Sequence, residues 1–124
     1  MLCIASAGAV TALAVSSFTL SWNHSVEHTR WQETWQVEAA GLRVISARVE
    51  GSGAGIALPP DATWTKGGWT YRPDVPALET VRLAASGRTD GGWQLCAGDT
   101  CFDLGAEAGQ DAVLTSAPAC PESP

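Results

Sequence analysis

His24, Ser25 and Glu27 put an imidazole, a hydroxyl and a carboxylate within a few positions, the ingredients of a hydrolase-like centre in which a base activates a nucleophile. Strand geometry works against that assembly. Neighbouring residues on a strand point to opposite faces, so His24 and Ser25 would not meet as base and nucleophile. The same residues suit a polar cluster in which His24 and Ser25, with Glu27 and the more distant Glu33, satisfy one another at a strand end. Glu33 stands out because it interrupts a face otherwise written Trp31, Trp35, Val37 and Ala39. No catalytic residue is assigned on this pattern, and hydrolysis through His24 and Glu27 is carried as an alternative only.

Cys3, Cys96, Cys101 and Cys120 are an even number of thiols, which permits two disulfides. Cys96 and Cys101 flank a Gly98-Asp99 turn symmetrically, where cross-strand Cβ atoms approach within about 4.5–5.5 Å. Cys3 and Cys120 are then the remaining pair. In a reducing cytosol all four instead stay thiols, small apolar residues in strands, so compartment decides between the two states. His24 and His28 with Cys96 and Cys101 have the residue types of tetrahedral zinc but not the tight knuckle spacing, and neither a metal nor a cofactor is expected.

Gly51, Gly53 and Gly55 alternate with small residues as a phosphate loop does, but Ile56-Ala57-Leu58-Pro59-Pro60 follows where a helix N-terminus is required. The stretch reads better as a strand end or bulge, a loop for close approach or docking. Of the six tryptophans, Trp22, Trp31, Trp35 and Trp93 fall at strand positions and suit a core. Trp64 and Trp69, beside Gly and Pro, are the candidates for ligand or docking contacts.

The elements that would position these residues are short strands. Phe18, Leu20 and Trp22 alternate with Thr19, Ser21 and Asn23, the period of a strand with one buried face. Leu2 to Ser6 and Ala9 to Val15 form a pair about Ala7-Gly8. Leu42 to Val49 follows a turn at Ala40-Gly41. Trp64 to Tyr71 is a hairpin centred on Gly67-Gly68, and Trp93 to Ala97 with Thr100 to Leu104 is the clearest hairpin in the chain. Glu79 to Ala84 and Ala112 to Ser116 complete the set. With no sustained helical periodicity, the expected fold is all-β, a small antiparallel sandwich or partly closed barrel of short strands and hairpins. It forms a single domain over residues 1–117 with a short Pro-rich tail, 118–124.

A chain of 124 residues with 45% hydrophobic content can bury a core of its own. Its net charge of −6 offers no basic stripe to displace phosphate counterions, which excludes nucleic acid as a partner and anionic lipid as an electrostatic dock. The apolar stretch from Leu2 to Leu20 carries two triplets of the signal-peptidase type, Ala5-Ser6-Ala7 and Ala14-Val15-Ser16. It has no Lys or Arg before Arg30, however, and is interrupted by Ser6, Thr11, Ser16 and Ser17. It is read as buried strands rather than as a leader or a transmembrane helix.

Phe18-Thr19-Leu20-Ser21-Trp22-Asn23-His24-Ser25-Val26-Glu27, Trp31-Gln32-Glu33-Thr34-Trp35, Ala47 through Gly55 with its Gly-Ser-Gly-Ala-Gly run, and Trp93-Gln94-Leu95-Cys96 with Cys101 together resemble the bacterial domain-of-unknown-function 1850 family (DUF1850). The resemblance implies a setting rather than a reaction. Such proteins accompany TRAP-type transporters of the TAXI group, which import small solutes through an extracytoplasmic binding protein and a membrane permease. The expected function is therefore a non-enzymatic accessory domain whose partner is the permease or the solute-binding protein. The alternative from another class is a small-ligand-binding β domain using Trp64, Trp69 and the His24 region. Family context and cysteines favour a periplasmic or membrane-associated location, whereas an uncleaved N-terminal strand would suit the cytoplasm.

Overall fold

Among the described residues, alternation of period two is realised as eleven strands: β1 (Leu2–Ser6), β2 (Ala9–Leu13), β3 (Ser17–His24), β4 (Thr29–Glu38), β5 (Gly41–Glu50), β6 (Thr63–Thr65), β7 (Gly68–Tyr71), β8 (Thr80–Leu83), β9 (Thr89–Ala97), β10 (Thr100–Leu104) and β11 (Ala112–Ser116). They belong to a computed structural model that describes the backbone of residues 1–24, 29–50, 58–84, 89–105 and 110–121, and the side chains of these residues apart from 24, 29 and 89–91.

The strands form two open antiparallel sheets, one ordered β2-β1-β11-β8 and the other β10-β9-β3-β4-β5-β7-β6. The fold is all-β, and of the two expected architectures it is the sandwich. Its core is made by residues that register places on the inner faces. Leu2, Ile4, Leu83, Ala112 and Leu114 come from the smaller sheet, and Phe18, Leu20, Trp35, Leu42, Val44 and Leu95 from the larger. Leu2, Leu20, Leu42, Leu95, Leu114 and Val49 are the largest fully buried side chains, each contributing roughly 1.5–3 kcal/mol of transfer free energy.

Hydrogen bonds lock one corner of the sandwich, where a side-chain bond from Ser116 joins the smaller sheet to the larger. Leu42 and Leu78 exchange N–H···O bonds of 2.8 Å in both directions. The Ser116 hydroxyl donates to the Glu38 carbonyl at 2.6 Å. The Ala117 N–H donates to the Met1 carbonyl at 3.0 Å, and the Val37 N–H to that of Ser16 at 2.8 Å.

Two turns sit one residue earlier than their sequence reading. The β6–β7 loop is Lys66-Gly67, with φ of 48° and 81°, and Gly68 is already in β7 opposite Thr65. Positive φ at both loop residues is the primed-turn geometry whose twist matches the flanking strands. The β4–β5 loop is Ala39-Ala40, because Glu38 pairs with Gly41. The Ala7-Gly8 and Gly98-Asp99 turns lie where expected, since Ser6 pairs with Ala9 and Ala97 with Thr100.

A bulge in β5 decides which of its residues face inward. Thr34 lies opposite Ser46 and Trp35 opposite Val44, so Ile45 has no cross-strand partner. Leu42 and Val44 before it and Ala47 and Val49 after it are all buried, while Ile45 is 39% exposed. Strict alternation from Leu42 would have turned Ser46 and Arg48 inward; the extra residue resets the parity.

Candidate functional site

Glu33 lies in the middle of β4, opposite Leu20 of β3 and Ala47 of β5, so its side chain shares the inner face of the larger sheet. The Trp35 Nε1–H, two residues along the same face, donates to Glu33 Oε1 at 3.3 Å. Burial pushes the Glu33 carboxyl above its ordinary value of 4.5, and the Trp35 hydrogen bond pulls weakly the other way. Tyr71, opposite Ala47 on β7, has its hydroxyl pushed above 10.0 by burial first and by the Glu33 charge second. Glu33 thus belongs to an aromatic environment that favours its protonated form. Trp22 stacks on Trp31 at 6.0 Å and meets Trp93 at 4.6 Å nearby on the same face. Among the described residues the buried Trp31 indole N–H meets no hydrogen-bond partner. The described contacts of Glu33 include neither a nucleophile nor a second carboxylate.

Ser25, Glu27, Gly51, Gly53 and Gly55 lie outside the described residues, as does the side chain of His24, whose backbone pairs with Thr29 and Thr89 at the end of β3. Leu20, the partner of Glu33, is four residues from His24 along β3, a separation of about 13 Å at strand rise.

The β6–β7 hairpin has two dissimilar faces. Trp64 and Trp69 are cross-strand partners in edge contact at 5.4 Å, and Trp64 is 49% exposed. On the other face Arg48 NH1 donates to the Thr65 carbonyl at 3.0 Å and NH2 to the Lys66 carbonyl at 2.9 Å, tying the turn to β5. A groove of about 810 Å³ runs beside this hairpin, lined by Ser46, Asp61, Thr63, Thr65, Thr70 and Tyr71. An apolar groove of about 690 Å³ opens at the locked corner, between Val15, Val37 and Pro118.

Both expected cysteine pairs are bonded. Cys96 and Cys101 face each other across the β9–β10 turn with Cα atoms 4.1 Å apart, and Cys3 joins Cys120 with Cα atoms 5.5 Å apart. The second bond ties the Pro-rich tail to β1. Among the described residues no three potential ligand side chains converge on a metal-sized space, and no helix is long and apolar enough to cross a membrane.

The family model described as a domain of unknown function, DUF1850, matches residues 18–104. The chain belongs to the DUF1850 family. Neither the curated proteins nor the solved structures give a match. The matched span of the DUF1850 chain runs from β3 to β10; it takes in the larger sheet, short of Ser17, together with β8, whereas β1, β2 and β11 come from the flanking segments.

Sequence reasoning missed the outer face of the larger sheet. There Arg30 NH2 donates to Ser21 Oγ at 2.8 Å and lies 3.5 Å from Gln94 Oε1, although the three residues are on β4, β3 and β9. Ser21 reads as the solvated half of an alternating strand, and only its 5% exposure gives it away.

Proposed function

We propose that this DUF1850 domain is a non-enzymatic accessory component of a TRAP-type solute importer of the TAXI group, working on the extracytoplasmic side against the permease or the solute-binding protein. The observation that carries the reading is the pairing of all four cysteines, since structural disulfides persist in oxidising compartments and the binding protein of such an importer works in one. The partner in this reading is the one that the family resemblance implies. A tagged chain purified from native membranes in mild detergent should enrich the permease or the binding protein, and deletion of the gene should reduce uptake of the transported solute. Recovery of neither protein, with unchanged uptake, overturns the reading.

The groove lined by Ser46, Thr63, Thr65 and Thr70 on the β6–β7 hairpin, on the face away from Trp64 and Trp69, favours a second reading, a small-ligand-binding β domain. A transported solute should then raise the melting temperature of the isolated domain, and Thr70→Val should abolish the rise.

A further inference from the structure

We propose that the outer face of the larger sheet carries a binding site for a small zwitterionic carboxylate, with Arg30 receiving the carboxylate and Asp103 the ammonium group. The two charges line one hollow of about 170 Å³, together with Ser21, Asn23 and Gln94. That is the volume of about six water molecules at ~30 Å³ each, enough for a compact amino acid.

Arg30 is prepared for the task. Its NH2 is fixed by Ser21 Oγ at 2.8 Å and reaches toward Gln94 Oε1 at 3.5 Å, both neutral acceptors. Three of the other described arginines are engaged differently. Arg43 pairs with Glu38 at 3.1 Å and Arg82 with Asp111 at 2.9 Å, while Arg48 is used by turn carbonyls. Among the described side chains Arg30 forms no ion pair, and it lines the hollow with its NH2 held by Ser21. A planar guanidinium with spare donors suits a carboxylate in bidentate geometry.

The acceptor it leans on is itself anchored. Ser21 is only 5% exposed, so the guanidinium is held by a buried hydroxyl rather than by surface side chains. A simple anion would be repelled by Asp103, which lies opposite Gln94 on β10. A ligand with a positive group beyond its carboxylate turns that repulsion into attraction. Backbone irregularity shapes the space: Ser21 pairs with Gln94 but Asn23 with Asp90, so β9 carries two extra residues here, and Gly92 takes a φ of 76° in the bend.

The site is independent of any transporter contact and is tested on the isolated oxidised domain. Glycine, β-alanine and γ-aminobutyrate, with acetate and methylammonium as single-charge controls, are titrated against the protein by ¹H–¹⁵N NMR. At least one zwitterion should bind saturably in the millimolar range or tighter, with shifts centred on Ser21, Arg30 and Gln94, and more tightly than either control. Arg30→Gln should weaken it about tenfold or more, the loss of one charge-assisted contact. Asp103→Asn, at an exposed position, should keep the fold and reverse the preference toward acetate. Absence of saturable binding by any of the three zwitterions overturns the proposal. So does acetate binding as tightly as the zwitterions, or Asp103→Asn leaving the preference unchanged.

Discussion

Glu33 is the residue at which chemistry and stability meet. Its carboxyl is held above the ordinary 4.5 in the fold by burial, so folded protein binds more protons than unfolded protein between the two values. Stability therefore falls as pH rises through that window, and the neutral form is the one the fold prefers. Glu33→Gln keeps an acceptor for the Trp35 N–H and removes the charge. It should raise stability at pH 7 by about 1 kcal/mol and flatten this part of the pH profile, read from urea unfolding at several pH values. A variant that leaves the profile unchanged would place the titrating group elsewhere.

Gly41 makes a second prediction at the same scale. A Cβ there would lie 2.4 Å from the Leu78 carbonyl oxygen, and its φ of 145° is one that L side chains rarely adopt. Gly41→Ala should cost about 2 kcal/mol or more, because the obstruction is backbone and belongs to the Leu42–Leu78 bridge. Gly8→Ala is the control: φ is 78° but nothing lies within 4 Å, so conformational strain alone applies, about 1–2 kcal/mol. Equal losses in the two variants would remove close approach as the reason for Gly41.

Among elements, β5 depends most on an irregularity. Deleting Ile45 would remove the unpaired residue, so that Ser46 follows Val44 in regular alternation and Leu42, Val44, Ala47 and Val49 keep their inward places. The deletion should therefore keep cooperative thermal unfolding, and Ile45→Thr should stay within about 0.5 kcal/mol of the parent; loss of cooperative unfolding on deletion would show that the bulge itself is required. The parity change is visible in the sequence once sought, since apolar residues move from Leu42 and Val44 to Ala47 and Val49. A continuous strand-like run was nevertheless all that local pattern suggested, because propensity does not register a single unpaired residue.

For the whole molecule, the two disulfides constrain the chain on different scales. Cys96–Cys101 spans a separation of 5 residues and Cys3–Cys120 one of 117. Loop-closure entropy assigns about 2 kcal/mol to the first and about 5 kcal/mol to the second. Replacing Cys3 and Cys120 together by Ser should therefore lower the stability of the oxidised protein by more than the same replacement at Cys96 and Cys101, measured by denaturant unfolding. The reverse order would mean that the chain ends are held chiefly by the β1–β11 ladder and not by the bond.

The sequence by itself determined the strand class, most strand positions, the β9–β10 register that brings Cys96 to Cys101, and the family. These rest on period-two alternation and turn residues, which act over a few positions and are written in adjacent letters. Tertiary structure alone decided that β1 and β11 are neighbours although more than a hundred residues separate Ile4 from Leu114, that Leu78 bonds to Leu42, and that Arg30 meets Ser21 and Gln94 on one outer face. Strand order follows from which inner faces bury the most apolar surface together. That is a property of the assembled sheets, so no local pattern in the chain could have placed Arg30, Gln94 and Asp103 around a common hollow.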